Sequence, residues 1–227
     1  MNSSPPLPKT SIAVNDLIVA GVDVGGPRKG FHAVALINGA YYDHINSGSP
    51  DEIAGWCKSI KATMVAVDAP CMWSTTGRAR VAERALMRKG IWCFSTPDHD
   101  NAVSHPRNHY GWMLNGEALF KALVSHYTLF DGQVPAVGTR VCFETFPQAI
   151  ACALAGKVVS AKQKRTIRRQ ALLDRQICID ELLNIDLIDA ALCAVAAHEF
   201  TSGSMDLYGD QLEGYIVTPT WKPIGRD

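Results

Sequence analysis

The sequence predicts an α/β protein whose mixed five-stranded sheet has three antiparallel strands followed by parallel strands, with helices on both faces. The chain opens with an apolar, β-branched run and two further strand-like segments that flank a tight-turn signal. Two later buried strands alternate with helical segments, and an alanine-rich helix closes the pattern. A meander followed by crossover connections is typical of such a mixed sheet.

The individual elements follow from composition and spacing. Strands are predicted at 17–24, 31–37, 41–46, 64–70 and 140–147, with Asn38-Gly39 as the hairpin signal between the second and third. Helical spacing or helix-start residues predict helices at 49–60, 78–89, 117–130, 147–155, 160–179 and 185–200. The segment 213–219 either adds an edge strand or ties down the tail.

Composition limits the classes of function. Of 227 residues, 47% are hydrophobic and 19% charged, which predicts a single ordered domain, over residues 15–227. Residues 1–14 are rich in Ser and Pro without periodicity, which predicts a flexible lead-in. Lys plus Arg equals Asp plus Glu at 22 each, so no overall field attracts nucleic acid or an anionic membrane. We expect a cytoplasmic protein without a membrane partner, because no apolar run reaches the roughly 18 residues of a membrane helix. The oligomeric state stays open.

Three carboxylates stand at matching positions, at the ends of apolar strands. Asp23, Asp68 and Glu144 each follow a run of residues such as Val, Ala and Phe. An ionised carboxylate at the border of an apolar core costs several kcal/mol unless a cation compensates it. Carboxylates that converge at the carboxyl ends of strands suit Mg²⁺ or Mn²⁺. The alternative for each is an acid that caps a turn or meets an Arg.

A fourth carboxylate, Asp189, comes from the closing helix. In one interpretation Asp186 is the N-cap of this helix and Asp189 is a first-turn acid favoured by the helix dipole. In the other, Asp189 points at the strand ends, because it shares a helix face with mostly small residues that allow close packing. These residues are Cys193, Ala196, Ala197 and Phe200.

Several of these segments together resemble a known family. GVDVGGPRKGFHAVAL, VAVDAP, GRARVAERALMRKG, FETFPQA, DLIDAALCAVAA and EGYIVTP resemble, in order, the domain-of-unknown-function 429 family of predicted RNase H-like nucleases. The first and last acidic motifs are also similar to those of Holliday-junction resolvases of the RuvC type. The resemblance implies an RNase H-like fold and a metal-dependent phosphodiesterase whose catalytic and metal-binding residues are Asp23, Asp68, Asp189 and, with the weakest correspondence, Glu144.

Two basic segments supply candidates for binding substrate phosphates. Arg78 and Arg80 belong to the first segment, and Lys162 and Arg165 to the second. A solvated helix face is the alternative for both. The loop 96–112 carries three His and two Asp residues, which indicate a zinc ligand set, a proton-transfer His or simply a polar surface loop.

The leading functional hypothesis is a nuclease or other phosphodiesterase that uses Mg²⁺ or Mn²⁺ and acts on nucleic acid or a small phosphodiester. The alternative is a non-catalytic module that binds nucleic acid or nucleotides and keeps a degenerate site. A third hypothesis, an ATP-dependent phosphotransferase, comes from GVDVGG, but such enzymes need a second domain of this kind. The sequence leaves DNA, RNA and small substrates open.

Overall fold

A computed structural model describes residues 16–221 as a mixed α/β fold with one mixed sheet. The predicted lead-in at residues 1–14 lies outside these described residues. Within the described part of the chain, no helix is long and apolar enough to cross a membrane.

In the described part of the chain the sheet has eight strands, so the predicted number of five is wrong. They are β1 (Ile18–Val24), β2 (Phe31–Ile37), β3 (Ala40–Ser47), β4 (Met64–Asp68), β5 (Thr128–Leu129), β6 (Val141–Glu144), β7 (Met205–Asp210) and β8 (Gly214–Pro219). Their order is β3-β2-β1-β4-β6-β8-β7, and β5 pairs with β6. Strand β5 lies within the helix predicted at 117–130, which in the structure ends at Leu123, and β7 was missed because half of MDLYGD is Asp or Gly. Strand β8 is internal, between β6 and β7, rather than an edge strand.

Within residues 16–221, seven α-helices connect these strands. They are α1 (Pro50–Ser59), α2 (Val81–Arg88), α3 (His99–Ser104), α4 (Gly111–Leu123), α5 (Pro147–Ala155), α6 (Lys164–Leu173) and α7 (Ile185–Thr201). Two predictions need correction. The segment 96–112 is partly helical, because Asp98 caps α3 and α4 begins before its predicted start. Helix α6 is also shorter than the predicted 160–179.

The strand directions bring the carboxyl ends of the central strands to one edge. Strands β1, β2 and β3 pair antiparallel, whereas β1, β4, β6 and β8 are mutually parallel neighbours. The registers place Asp23 beside Asp68 on one side and beside His32 on the other, and they place Glu144 beside Val67.

Alternating side chains divide the core between two faces. Val19, Val34 and Phe143 pack in a cluster with α7, whereas Ala20 and Val67 pack in a cluster with residues of α1 and α4. The predicted placement of helices on both faces is therefore confirmed. We call the two sides the α7 face and the α4 face of the sheet.

Helix α7 contacts the backbone of β1 directly at Gly21. A Cβ atom at this position would lie 2.0 Å from the Ala194 amide nitrogen and 2.2 Å from the Ala190 carbonyl oxygen. Such distances are far inside van der Waals contact, so only glycine allows this approach. The contact brings the first turns of α7 over the end of β1.

We expect Gly21→Ala to lower the free energy of unfolding by at least about 3 kcal/mol, because the new methyl group must push α7 off the sheet. The control is Gly55→Ala in α1, where an added Cβ meets nothing within 4 Å. That change should instead stabilise the protein by about 0.5–1 kcal/mol. Chemical denaturation of both variants measures the difference, and equal stabilities would contradict the packing described here.

Candidate active site

Asp23 and Asp68 are neighbours at the carboxyl ends of β1 and β4. They are register partners on adjacent parallel strands, and both are partly buried. Asp23 follows Val19 and Gly21 on the α7 face, and Asp68 follows Ala66 on the same face. Their carboxyl groups therefore project from one face at one edge of the sheet.

Asp189 reaches the same place from α7 and is buried, with 5% of its surface exposed. Its Oδ1 lies 2.5 Å from Nη1 of Arg168, a buried residue of α6. Arg168 also donates from Nη2 to Oε1 of Gln148 at 3.3 Å. The buried Nε of Arg168 has no hydrogen-bond partner within residues 16–221. Arg168 of α6 thus places one positive charge beside Asp23, Asp68 and Asp189, which we call the carboxylate cluster.

Burial and mutual repulsion disfavour the ionised forms of all three acids. Burial, followed by repulsion from Asp189 and Asp186, raises the pKa of Asp23 to about 7. Burial and then repulsion from Asp23 and Asp189 raise the pKa of Asp68 well above its usual range. Burial also raises the pKa of Asp189, although Arg168 opposes the shift. Without a further cation, this site is short of positive charge.

Two further residues, His32 and Asp186, lie beside Asp23. One ligand atom of each of the three residues lies within 4.8 Å of those of the other two. His32 is the partner of Asp23 across the antiparallel pair β1 and β2, and Asp186 lies in the first turn of α7. Both oxygens of Asp186 also accept hydrogen bonds from Nζ of Lys29, at 3.0 Å each.

Sequence reasoning missed His32 and assigned Asp186 a different place. The N-cap of α7 is Asn184, whose Oδ1 accepts a hydrogen bond from the Leu187 amide at 2.8 Å, so the N-cap prediction for Asp186 is wrong. A signal for His32 was present. It is the one ionisable residue in the strand FHAVALI, on the strand paired with that of Asp23.

Glu144 lies on the opposite face of the sheet from Asp23 and Asp68. It follows Phe143 of the α7 face by one residue, so its side chain points to the α4 face. There its carboxylate receives two hydrogen bonds from Arg80, Nη1 to Oε2 at 2.9 Å and Nη2 to Oε1 at 2.5 Å. The Cys71 amide donates a third at 2.8 Å. The structure therefore pairs Glu144 with an arginine rather than with the three aspartates.

Arg80 is enclosed by this network, with 1% of its surface exposed. Its Nε donates to Glu83, and Nη1 is also within hydrogen-bond distance of two backbone carbonyl oxygens, those of Met72 and Glu213. Although burial opposes it, the Glu144 carboxylate raises the pKa of Arg80. Removing one member of such a buried pair typically lowers the free energy of unfolding by about 3–5 kcal/mol. Arg80 therefore stabilises the fold.

The other predicted phosphate-binding residues are on the surface. Arg78, Lys162 and Arg165 are exposed, and their role in binding phosphate stays a prediction. From the second basic segment, it is Arg168 that reaches the carboxylate cluster. The His and Asp residues of the segment 96–112 fall around α3, apart from the group of Asp23, His32 and Asp186.

The donor atoms fit a divalent cation. Carboxylate oxygens suit Mg²⁺ and Mn²⁺, and an imidazole nitrogen among them favours Mn²⁺ over Mg²⁺. The Nδ1 atom of His32 is buried and lacks a hydrogen-bond partner within the described residues, so a bound cation could satisfy it. Burial lowers the pKa of His32, which leaves the ring neutral and able to coordinate a metal at neutral pH.

The fold and the site define an α/β protein with an acidic cluster at the carboxyl ends of its central strands. Residues 21–213 match the family described as "Protein of unknown function (DUF429)", and the chain belongs to that family. The resemblance to this family seen in the sequence is thus confirmed. Searches of curated proteins and of solved structures find no match to the chain.

The raised pKa of Asp23 predicts how the stability of the metal-free protein depends on pH. The folded state holds this proton more tightly than the unfolded state, whose pKa is 3.8. The loss of folding stability caused by ionising Asp23 is therefore absent below about pH 4, and it grows as the pH rises to about 7. We expect Asp23→Asn to remove up to about 4 kcal/mol of this loss at pH 8 in EDTA.

Urea denaturation at several pH values between 4 and 8 measures the effect, with the exposed Asp51→Asn as the matched control. The Asp23→Asn curve should fall less steeply than those of the wild type and of Asp51→Asn. If Asp23→Asn destabilises the protein equally at every pH, the Asp23 carboxylate is a hydrogen-bonding group rather than a repelled charge.

Proposed function

We propose that the protein is a metal-dependent phosphodiesterase that cleaves nucleic acid or a small phosphodiester, on an RNase H-like fold. One observation carries the proposal. Ligand atoms of His32 and Asp186 lie within 4.8 Å of a carboxylate oxygen of Asp23, and Asp68 is the register partner of Asp23 on the neighbouring strand. Asp189 adds a third carboxylate to the Asp23 and Asp68 pair on the same face.

The strand arrangement supports the RNase H-like part of the proposal. The central strands have the order β3-β2-β1-β4-β6, with antiparallel pairs at one side and parallel pairs at the other. This is the order of antiparallel and parallel strands that the family resemblance implied. Strands β8 and β7 extend it beyond β6.

In this proposal, each residue around the site has a distinct task. Asp23, Asp68, His32 and Asp186 would hold the cation, which when bound lowers the pKa of water and neutralises charge on the phosphate. Arg168 fixes the carboxylate of Asp189 in position through their ion pair. Water attacks phosphorus and loses a proton, while the bond from phosphorus to the leaving oxygen breaks and that oxygen gains a proton.

Lys29 provides an accessible cation at the rim of the site. Its side chain is 63% exposed, and its Nζ is 3.0 Å from Asp186. A substrate phosphate that approaches the cluster would meet this ammonium group before it meets the buried carboxylates. Lys29 therefore compensates part of the repulsion between an anionic substrate and an acidic site.

A second candidate function, a non-catalytic module that binds nucleic acid or nucleotides, has one specific observation in its favour. Two of the four predicted metal ligands, Glu144 and Asp189, already have arginine partners within the fold. Such pairs are what a cluster retained for structure would contain. The two candidates differ in whether cation binding produces turnover.

We expect Mn²⁺ at a hundredfold excess over its dissociation constant to stabilise the wild-type protein by about 2.7 kcal/mol. For a chain of this size, that corresponds to a rise in melting temperature of roughly 5–10 °C. Labelled oligonucleotides and a chromogenic phosphodiester should be hydrolysed with Mn²⁺ and not with EDTA. Asp23→Asn and Asp68→Asn should each lower the hydrolysis rate by about 100-fold or more.

His32→Gln separates metal choice from folding, because it removes the nitrogen donor and keeps a polar side chain. It should weaken Mn²⁺ binding, measured by calorimetry, more than Mg²⁺ binding. Asp51→Asn, on the exposed start of α1, serves as the control and should keep full activity. Metal binding without hydrolysis of any phosphodiester would favour the binding module, and absence of both would exclude the phosphodiesterase.

A further inference from the structure

An exposed pair of aromatic side chains lies on the segment between α2 and α3. Trp92 is 78% exposed and Phe94 64%, and they are the two aromatic side chains among the exposed large hydrophobic residues of the described chain. Exposing large apolar rings to water is unfavourable, so a pair held outward indicates a binding surface.

The fold holds this segment in place at both ends. The Ile91 amide donates to the Leu86 carbonyl oxygen at 3.0 Å, and the side chain of Ile91 is buried. At the other end, the Thr96 amide donates to the buried carboxylate of Glu83 at 3.0 Å. Trp92 and Phe94, two residues apart, thus face outward from a fixed stretch of backbone.

Other rings support Phe94 at its edges and leave much of the ring open to solvent. The centroid of Trp112 lies 6.0 Å from that of Phe94, and the centroid of His109 lies 6.2 Å away, both in edge-to-face geometry. We call Trp92, Phe94, His109 and Trp112 the aromatic platform. Its supported but uncovered rings suit a flat aromatic ligand that stacks on them.

The aromatic platform adjoins the carboxylate cluster at Asp68. Phe94, Trp112 and Asp68 line one cavity of about 50 Å³. Helix α4, which carries Trp112, lies against the same strand ends, since Asn115 donates from Nδ2 to the Gly25 carbonyl oxygen at 2.8 Å. Arg80 and Glu144 of the α4 face line the same cavity, so a ligand on the platform lies on the α4 side of the edge at which β4 ends with Asp68.

The surroundings favour a nucleic-acid strand over an apolar protein segment. The cavity is too small to enclose a nucleobase, so a base would stack at its mouth. Exposed Arg107 is two residues from His109 in the chain, and exposed Lys29 contacts Asp186 beside the cluster. Aromatic rings beside separate cations match the alternation of bases and phosphates.

We infer that the aromatic platform binds unpaired nucleobases, so that the substrate of the proposed site is single-stranded nucleic acid. The inference rests on the proposed function and narrows its substrate class. A strand with a base stacked on Phe94 would continue across the end of β4 toward the carboxylates on the α7 face. Bases inside a duplex have their faces covered by their neighbours and cannot stack on an external ring.

Fluorescence anisotropy with short labelled oligonucleotides tests the inference without turnover, with Ca²⁺ or EDTA in place of Mn²⁺. Single-stranded DNA and RNA are separate arms, and an abasic strand and a duplex of equal length are the comparisons. We expect either single strand to bind at least about tenfold more tightly than the duplex or the abasic strand.

Variants of Phe94 separate stacking from simple apolar contact. Phe94→Leu keeps an apolar side chain but removes the aromatic face, and it should weaken binding roughly 5- to 100-fold. Phe94→Tyr should bind as the wild type does. Val134→Ala is the control, because Val134 is 89% exposed on the connection that precedes β6, away from the strand ends that carry the cluster.

The outcomes distinguish this inference from the proposed function. Binding that depends on Phe94 without cleavage of the oligonucleotide in Mn²⁺ would support the platform and favour the binding module over a nuclease. Cleavage with unchanged binding in Phe94→Leu would support the phosphodiesterase and overturn the platform. Equal affinity for abasic and normal strands, tighter binding of the duplex, or no binding of either single strand with Ca²⁺ or EDTA would also overturn it.

Discussion

Helix α7 can lie on strand β1 because Gly21 has no side chain, and the candidate site depends on this contact. A Cβ atom at Gly21 would stand 2.0 Å from the helix backbone, so the two elements touch through main-chain atoms. This approach lets Asp186 and Asp189, in the first turns of α7, share the edge of the sheet with Asp23. A conventional distance between helix and sheet would leave the acids of α7 and of β1 in separate places.

The positions of the charges show which carboxylates the fold compensates and which it does not. Glu144 has Arg80 and Asp189 has Arg168, each at 2.5 Å. Positive charges only partly offset the burial and repulsion that raise the pKa of Asp23 and Asp68. These charges are Lys29 and Arg168 for Asp23 and Arg168 for Asp68. Burying an uncompensated carboxylate is costly, and the shortage of positive charge is greatest at Asp23 and Asp68. A divalent cation bound there would compensate their negative charge.

Much of the site could be predicted from the sequence where local patterns carry the information. The apolar strands ending in Asp23 and Asp68 indicated their common edge, and small residues on one side of α7 indicated that Asp189 faces the sheet. Glu144 also stands at a strand end, but strand-end position alone does not fix the face. Its register partner is Val67 rather than Asp68, and this offset of one residue turns its side chain to the α4 face.

The remaining features depend on long-range contacts. The partner of Glu144 lies 64 residues earlier in the chain, and no local pattern connects Arg80 to it. His32 joins Asp23 only through the register of β1 and β2, which a six-residue connection leaves open in the sequence. Half of strand β7 is Asp or Gly, and the strand is recognisable only by its pairing with β8.

The most direct test of the central claim is a crystal structure of the protein grown with Mn²⁺, with anomalous diffraction measured at the manganese absorption edge. The account predicts an anomalous peak within coordination distance, about 2.0–2.4 Å, of a carboxylate oxygen of Asp23, with Asp68, His32 or Asp186 among the other ligands. A structure with ordered carboxylates at this edge and manganese peaks only elsewhere on the protein would contradict it.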